Sequence, residues 1–437
     1  MSPWLCAASL WANTRPPVHR LDARRPALSG PVEHAEIDGF RVHFTRSGSD
    51  APPDDDTDAD KLPDLVDAIL AGLATGTTAF EEEGFRPLIG DGTAGGDDAI
   101  DVYVTDIDAY GYAIPTSTGG QGWSCYIEID PDTDVFGRIA ESVAVHELHH
   151  CVQFRYNPNL ASWIYEAGAT YEQYSHVRDP VLDVALGSLY AMRLDATELK
   201  LATTVDRLEY AGFLWMKFWT EFEGYDPDRL PRMWEILADA QGWRPGLQLA
   251  SEEIFGLPLG QLFLHHAAWN GFACGGSDGL HYLDDPLPCV TESSVPLIPW
   301  DGDAPMEIHH SEGPFTSESL DLTPKLTPER DTELTLTCEG QEGLRYALVH
   351  LVGGRGVQLT EDVAPSVRRP TLSLARGDRA RAVVVGTETP LNATCSVELW
   401  QPGPAGCAST SSLAPVSWAL GLLGALLLRR GGAPLAP

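Results

Sequence analysis

The spacing of apolar and polar positions changes about two thirds of the way along the chain. Before that point, alternating runs such as AIDVYVTDI (99–107) and GQGWSCYIEID (120–130) predict strands. The first helix is predicted to begin near Pro63, and a series of further helices begins near Gly137. This mixture predicts an α+β domain, with a small sheet and several helices, over residues 30–295.

The last third of the chain has a different pattern. Short β-type runs such as TELTLTCEG, RYALVHLVG and RARAVVVGT recur about every ten residues, with Gly, Pro and Asp between them. Strands of this length separated by turns are typical of a two-sheet sandwich. We therefore predict an all-β, sandwich-like domain over residues 300–401.

The N-terminal segment, residues 1–12, contains a short apolar run that ends in LWA. This ending resembles a signal-peptide cleavage site, although no Lys or Arg precedes the run. We interpret the segment as part of a signal peptide whose start lies upstream. An ordinary N-terminal segment is the alternative.

The C-terminal segment, residues 402–437, contains an apolar run from Leu413 to Leu428 that is followed by two arginines. Together with the preceding step Gly406-Cys407, it resembles the myxobacterial C-terminal sorting signal. That resemblance implies a bacterial protein that is exported and anchored at the cell surface. A simple C-terminal membrane anchor is the alternative, and it gives the same topology.

Length and charge narrow the class of protein. A chain of 437 residues favours two folded domains plus terminal segments. The 63 acidic residues exceed the 29 basic ones, and a net charge of −34 repels phosphate backbones, which excludes nucleic acid as a partner. Such a charge fits an exported protein or one that binds cations, and solubility alone is the competing explanation.

The cysteines indicate an oxidising compartment. Six of the eight lie in the predicted domains, and none forms a C-x-x-C pair, so disulfides are favoured over a cysteine zinc site. Free buried thiols are the alternative. Six cysteines allow about fifteen pairings. We predict Cys125–Cys151, Cys274–Cys289 and Cys338–Cys395, because each of these pairs falls within one predicted domain.

The segment HELHH, residues 146–150, carries the strongest chemical signal. On a helix, residues four apart project from nearly the same face, so His146 and His150 can bind one ion. This H-E-x-x-H pattern is the zincin signature, in which the imidazoles hold Zn²⁺ and Glu147 takes a proton from a water molecule on that ion. His149 is interpreted as a supporting or structural histidine. The competing interpretation is core histidines that are satisfied by hydrogen bonds.

A catalytic zinc usually has three protein ligands. Glu166 lies sixteen positions after His150, which leaves room for a turn and a second helix that packs back across the first. Gly168 and Ala169 are small and permit a close approach. Two alternatives stay open: Glu166 as a solvated glutamate, and Glu172, on another face of that helix, as the third ligand.

The segments HELHHCVQF and WIYEAGATYEQ resemble a group of secreted bacterial zinc metalloproteases with an H-E-x-x-H-x-x-Q helix and a W-x-x-E-[GA]-x-A-type helix. More broadly, the chain is similar to the gluzincins, whose third ligand is a glutamate on the next helix. The resemblance covers about residues 35–270 and implies a zincin-like metallopeptidase fold for the first domain. It assigns the metal ligands to His146, His150 and Glu166, and the general base to Glu147.

The same resemblance implies that the strand SCYIEID forms the edge of the sheet, where a peptide pairs with it. Ala167 departs from the pattern, because glycine is usual after the glutamate. Tyr210 and His176 are the candidates for steadying the oxyanion.

The acidic segment DTDADKLPDLVD has the ligand spacing of a calcium loop. Lys61 replaces the usual glycine and an aspartate replaces the terminal glutamate, and an acidic disordered linker is the alternative. The predicted Ca²⁺ ligands are Asp56, Asp58, Asp60, the Leu62 carbonyl, Asp64 and Asp67.

These features together predict a secreted or surface-anchored zinc-dependent peptidase that acts on a peptide or protein substrate. Only the C-terminal segment is expected to meet a membrane. The alternatives are a non-enzymatic surface adhesin with a structural or inactive zinc site, and a metal-dependent hydrolase of non-peptide substrates.

Overall fold

The computed structural model describes residues 24–118, 122–133, 138–195, 201–204, 207–273, 279–283, 300, 304–309, 313–322, 331–353, 355–361 and 369–400. The chain up to Gln401 forms one compact unit of mixed α+β structure. Both terminal segments, the predicted pair Cys274–Cys289 and residues 295–299 at the predicted domain boundary lie outside these residues.

The first part of the chain contains a five-stranded mixed sheet. Its order is β1-β2-β3-β5-β4, in which β2, β3 and β5 are parallel and both outer strands are antiparallel to their neighbours. The strands are β1 (Val32–Ile37), β2 (Phe40–Thr45), β3 (Ile100–Val104), β4 (Gly111–Ser117) and β5 (Trp123–Ile129).

Two helices cover one face of this sheet. Helix α1 (Asp64–Glu82) joins β2 to β3, and α2 (Ile139–Phe154) follows β5. They touch through Gly72, where an added Cβ would lie 2.4 Å from the Glu141 carbonyl oxygen, so only glycine permits this approach. The helical spacing predicted for α1 is confirmed, because its apolar positions Leu65, Val66, Ile69, Leu73 and Phe80 are all buried.

Six further helices complete the α-helical part among the residues described. Helix α5 (Phe213–Glu221) is buried at every position, as its apolar sequence predicts, and so it lies in the interior rather than on the surface. These helices are α3 (Ser162–His176), α4 (Pro180–Asp195), α5 (Phe213–Glu221), α6 (Arg229–Ala238), α7 (Trp243–Phe255) and α8 (Leu259–Asn270).

The last part of the chain forms two four-stranded antiparallel sheets around a shared apolar core. Their orders are β10-β9-β12-β7 and β11-β8-β13-β6. The strands are β6 (Met306–His309), β7 (Thr316–Asp321), β8 (Thr332–Gly340), β9 (Leu344–Val352), β10 (Arg355–Glu361), β11 (Thr371–Leu374), β12 (Arg379–Gly386) and β13 (Asn392–Trp400).

The first of these sheets is buried on both faces. Along β12, Ala382 and Val384 face the other sheet, whereas Val383 and Val385 belong to the core of the helical part. Helix α8 packs on this second face, and Arg381 donates a hydrogen bond to the Gly271 carbonyl oxygen at 2.6 Å. The continuous apolar run AVVVG, residues 382–386, therefore reflects burial from two sides.

Two of the three predicted disulfides are confirmed. Cys125–Cys151 joins β5 to α2, and Cys338–Cys395 joins β8 to β13. The first bond lies directly beside His150 in sequence and ties the helix that carries the histidines to the sheet. In the part of the chain that the structure describes, no helix has both the length and the apolar character needed to cross a bilayer.

Candidate metal centre

Three side chains from two adjacent helices converge in the interior. His146 and His150 project from the same face of α2, and Glu166 projects from the second turn of α3. The Glu166 Oε2 atom lies 3.1 Å from His146 Nε2 and 3.6 Å from His150 Nε2. All three side chains are buried, and one ligand atom from each lies within 4.8 Å of the others. The structure thus brings together the three residues that the sequence assigns to zinc.

Two glutamines orient the imidazole rings. His146 Nδ1 lies 3.1 Å from Gln173 Oε1, and His150 Nδ1 lies 2.7 Å from Gln153 Oε1. An amide oxygen only accepts hydrogen bonds, so each Nδ1 carries a proton, and in the neutral ring the lone pair that can bind a metal is on Nε2. Such partners fix ring orientation in protein metal sites and are part of the binding set.

Both glutamine amides are themselves held in place. The Gln173 amide nitrogen donates to Ser142 Oγ, and the Gln153 amide nitrogen donates to the Tyr165 carbonyl oxygen at 2.9 Å. This orientation leaves each amide oxygen available for its histidine. The hydrogen-bond network therefore presets the two imidazoles.

The donor set fits Zn²⁺. Ligands about 2.0–2.1 Å from a tetrahedral ion lie about 3.3 Å from one another. The two nitrogen–oxygen distances of 3.1 and 3.6 Å bracket that value. Two imidazoles with one carboxylate leave one tetrahedral position for water or substrate, as in catalytic zinc sites.

The electrostatics also favour a cation between these groups. Burial raises the pKa of the Glu166 carboxyl, but the charge of His150 and the hydrogen bond with His146 outweigh it, and the pKa falls to about 2. Burial lowers the pKa of His150, but the Glu166 carboxylate outweighs this effect and raises it to about 9. A proton on His150 thus balances Glu166 when no ion is bound, and metal binding releases that proton.

Glu147 is buried beside the ligands and is held by the sheet. The backbone N–H of Ala113 in β4 donates to its carboxylate, and burial raises its pKa. A Cβ added at Gly111 would lie 2.7 Å from Glu147 Cγ and 2.8 Å from its Oε1. The glycine at this position in β4 therefore leaves the space that the Glu147 side chain occupies.

These contacts correct one expectation. The strand SCYIEID was expected at the sheet edge, but β5 lies between β3 and β4, and β4 is the edge strand next to the site. Pro115 fits that place, because an edge strand tolerates a residue without a backbone N–H. Strand order depends on pairing between distant segments, so the local pattern of β5 did not reveal it.

We expect Gly111→Ala to lower turnover roughly tenfold or more with zinc content unchanged, because the new methyl group displaces the Glu147 carboxylate from its position. Gly111 has no positive φ, so the alanine adds no backbone strain of its own. Steady-state kinetics and zinc analysis check this, with Ser117→Ala on the exposed end of β4 as the control. Unchanged turnover in the Gly111 variant would show that the carboxylate position is not critical.

The turn before α3 fixes where Glu166 points. The Tyr165 hydroxyl contacts the Asn157 carbonyl oxygen and accepts the Leu160 N–H at 2.9 Å. A Cβ added at Gly168 would lie 2.6 Å from Gln153 Nε2, so the predicted need for a small residue there is confirmed. A larger residue would displace the amide that orients His150.

Ala167 stands where the family pattern has glycine, and Gly212, which is distant in the sequence, makes room for its methyl group. A Cβ added at Gly212 would lie 2.9 Å from the Ala167 methyl group. Because position 212 has no side chain, the extra methyl group of Ala167 fits between α3 and the turn before α5. Tyr210, in the same turn, has its ring centre 5.9 Å from that of His146 and stays the candidate oxyanion group.

Three residues that the sequence offered as supports, ligands or oxyanion groups lie apart from His146, His150 and Glu166. His149 is fully buried between Phe80 and Phe85, and neither of its ring nitrogens has a hydrogen-bond partner. It is therefore a packing residue rather than a support for the ligands. Glu172 and His176 contact each other at 3.1 Å, which argues against Glu172 as the third ligand and against His176 as an oxyanion group.

The acidic loop places three of its predicted ligands together. Carboxylate oxygens of Asp56, Asp58 and Asp60 lie within 4.8 Å of one another, and all three side chains are exposed. The loop is closed by Asp64, which accepts the Thr57 N–H at 2.7 Å. Burial, followed by the neighbouring aspartates, raises the pKa of Asp67 to about 6. Half-buried Leu62 donates its N–H to Asp60 at 2.7 Å.

Calcium binding in this loop stays a prediction. We expect millimolar Ca²⁺ to raise the melting temperature, because oxygen ligands at this spacing suit Ca²⁺ and the like charges otherwise repel. Differential scanning fluorimetry checks this with Asp58→Asn as the variant and Asp38→Asn, on the exposed β1–β2 turn, as the control. Equal Ca²⁺ responses in the wild type and the Asp58 variant would exclude the loop as the site.

Two imidazoles, a carboxylate from the next helix and a buried glutamate beside them define a candidate metal centre of the two-histidine, one-carboxylate kind. Comparisons of the chain with family models and with curated proteins found no match. The function of the chain is therefore inferred from the residues of the site.

Proposed function

We propose that this protein is a secreted or surface-anchored zinc-dependent peptidase. The observation that carries the proposal is the convergence of His146, His150 and Glu166 with both imidazoles oriented through Nδ1. A purely structural histidine–glutamate cluster does not need a second buried carboxylate beside it. Glu147 supplies that carboxylate, and its burial would be costly without a role that uses it.

In this proposal each residue has one task. His146, His150 and Glu166 hold Zn²⁺, which when bound polarises a carbonyl group and lowers the pKa of water. Glu147 accepts the proton of the attacking water and delivers it to the leaving amine. Burial moves the pKa of Glu147 upward, toward the range in which a carboxylate exchanges protons near neutral pH.

The edge strand supports a peptide as the substrate. Among the residues described, β4 pairs only with β5, and Ala113 directs its N–H away from β5 to Glu147. Because Glu147 takes the Ala113 N–H and Pro115 has none, an extended peptide would add to this edge through hydrogen bonds from its own N–H groups to β4 carbonyl oxygens. That arrangement would bring a scissile bond next to the general base.

The proposal places the protein in an oxidising compartment outside the cytoplasm. Two disulfides, Cys125–Cys151 and Cys338–Cys395, are typical of proteins that fold in an oxidising environment. The strongly acidic composition fits an exported protein.

Removal and return of the metal test the activity. We expect the purified protein to cleave casein or a peptide library, to lose that activity after treatment with 1,10-phenanthroline, and to regain it with equimolar Zn²⁺. Mass spectrometry of the products identifies the cleaved bonds, and a chelator-free incubation is the control. Bound zinc without cleavage of any peptide would favour the adhesin alternative.

A further inference from the structure

A second cluster of ligand-type side chains lies where the ends of two helices meet. Glu83 is the C-cap of α1, and Glu172 and His176 lie one turn apart at the end of α3. His176 Nε2 is 2.9 Å from Glu83 Oε1 and 3.1 Å from Glu172 Oε2. One ligand atom from each residue lies within 4.8 Å of the others.

The hydrogen bonds within this cluster do not satisfy it. One Nε2–H faces two carboxylate oxygens, so it cannot serve both fully. The Glu172 side chain is fully buried, and its Oε1 atom has no hydrogen-bond partner. The Glu83 and Glu172 carboxyl groups are also in contact, and burial, followed by the charge of Glu83, raises the pKa of Glu172 to about 8. A buried carboxylate in this state is costly unless a cation compensates it.

The surroundings favour a cation for a second reason. Both α1 and α3 end at the cluster, and the C-terminal end of a helix carries partial negative charge. The two helix ends therefore add to the charge of the two carboxylates. The Glu83 and His176 side chains are 19% and 21% exposed, so an ion has access to a site whose inner ligand, Glu172, is fully buried.

We propose that Glu83, Glu172 and His176 form a second site for a divalent transition-metal ion, distinct from the candidate catalytic centre. One imidazole nitrogen with two carboxylates suits Zn²⁺ or Mn²⁺ better than Ca²⁺, which prefers oxygen ligands alone. The 2.9 and 3.1 Å separations are close to the spacing of about 3.3 Å between ligands of a tetrahedral zinc. Water completes the coordination from the exposed side.

The two sites lie on different faces of α3. Glu166 and Glu172 are six residues apart, which is roughly 240° around a helix. The ion at the second site joins the end of α1 to the end of α3 and so steadies the helix that carries Glu166. Its role is structural, and the site does not depend on the proposed peptidase activity.

Zinc stoichiometry tests the second site. Each protein is saturated with Zn²⁺ in calcium-containing buffer, freed of loose ions by gel filtration, and analysed by inductively coupled plasma mass spectrometry. We expect two zinc ions per chain in the wild type, one in Glu172→Gln, one in Glu166→Ala and none in the double variant. Glu82→Gln, an exposed neighbour of Glu83, is the matched control and should keep two.

Glu172→Gln changes a buried residue and could misfold, so Glu83→Gln and His176→Gln test the same site at its two partly exposed ligands. Circular dichroism verifies the fold of each variant. Each should lose the same ion as Glu172→Gln. Equal zinc content in the wild type and all three variants would overturn the second site. Loss of one zinc from Glu172→Gln together with full retention by Glu166→Ala would support the second site while refuting the proposed catalytic centre.

Discussion

Replacing Glu147 with glutamine should leave zinc bound and slow peptide hydrolysis by about 10²–10⁴-fold, the usual contribution of a general base. Glutamine has the same shape, and its side-chain oxygen can still accept the Ala113 N–H that holds the carboxylate in place. It cannot accept the proton of the attacking water. The expected loss therefore falls on turnover rather than on folding or metal content.

Kinetics and zinc analysis on the same preparation check this result. Glu141→Gln is the matched control, because Glu141 lies on the same helix but pairs with Arg138 at the surface-facing end. If Glu147→Gln turned over substrate as fast as the wild type, Glu147 would not be the general base. Loss of zinc from that variant would instead assign Glu147 to the ligand set.

Replacing Glu166 with alanine should abolish hydrolysis and the retention of zinc between His146 and His150, while the second site keeps its own ion. Outer partners of metal ligands typically contribute 10–100-fold to affinity, so removing a ligand itself should weaken zinc binding by at least about 100-fold. The change also leaves His146 and His150 facing each other without the carboxylate between them. Competition titration with a zinc-binding dye measures the affinity, with the second site blocked by Glu172→Gln.

Two further variants separate ligand loss from collapse of the core. Glu166→Gln keeps the side-chain volume and removes the charge, and it should lose zinc affinity with little change in the circular dichroism spectrum. Glu253→Ala, an exposed glutamate on α7, should behave as the wild type. Unaltered zinc affinity in both Glu166 variants would end the case for a three-ligand site.

The sequence revealed the parts of the site that follow from helix periodicity. His146 and His150 are one turn apart, so their common face could be read directly from the spacing. The small residue Gly168 pointed to a close helix approach, and a Cβ added there would lie only 2.6 Å from Gln153 Nε2. Both features depend on positions that are near one another in the chain.

Features that depend on distant segments were not readable in the same way. The edge position of β4 follows from pairing order, and the compensation of Ala167 by Gly212 joins residues 45 positions apart. The contact between Gly111 and Glu147 likewise crosses from sheet to helix. A single sequence contains no direct signal for such pairs.

The role of Gln173 was missed although a signal existed. Gln173 lies two helical turns after Glu166, so the two side chains share a face of α3. Likewise, Gln153 lies one turn after His150 on α2. A polar amide on the same face as a metal ligand, in a helix that is buried along most of its length, indicates a partner for that ligand.

The sheet that is buried on both faces determines which fragments can be produced. A truncated protein that stops near residue 295 would uncover the side of α8 on which Val349, Leu351, Val383 and Val385 rest. A large uncovered apolar patch promotes aggregation. A recombinant protein should therefore extend through Gln401, because the C-terminal β-strands cover the core of the helical part and do not form a separable domain.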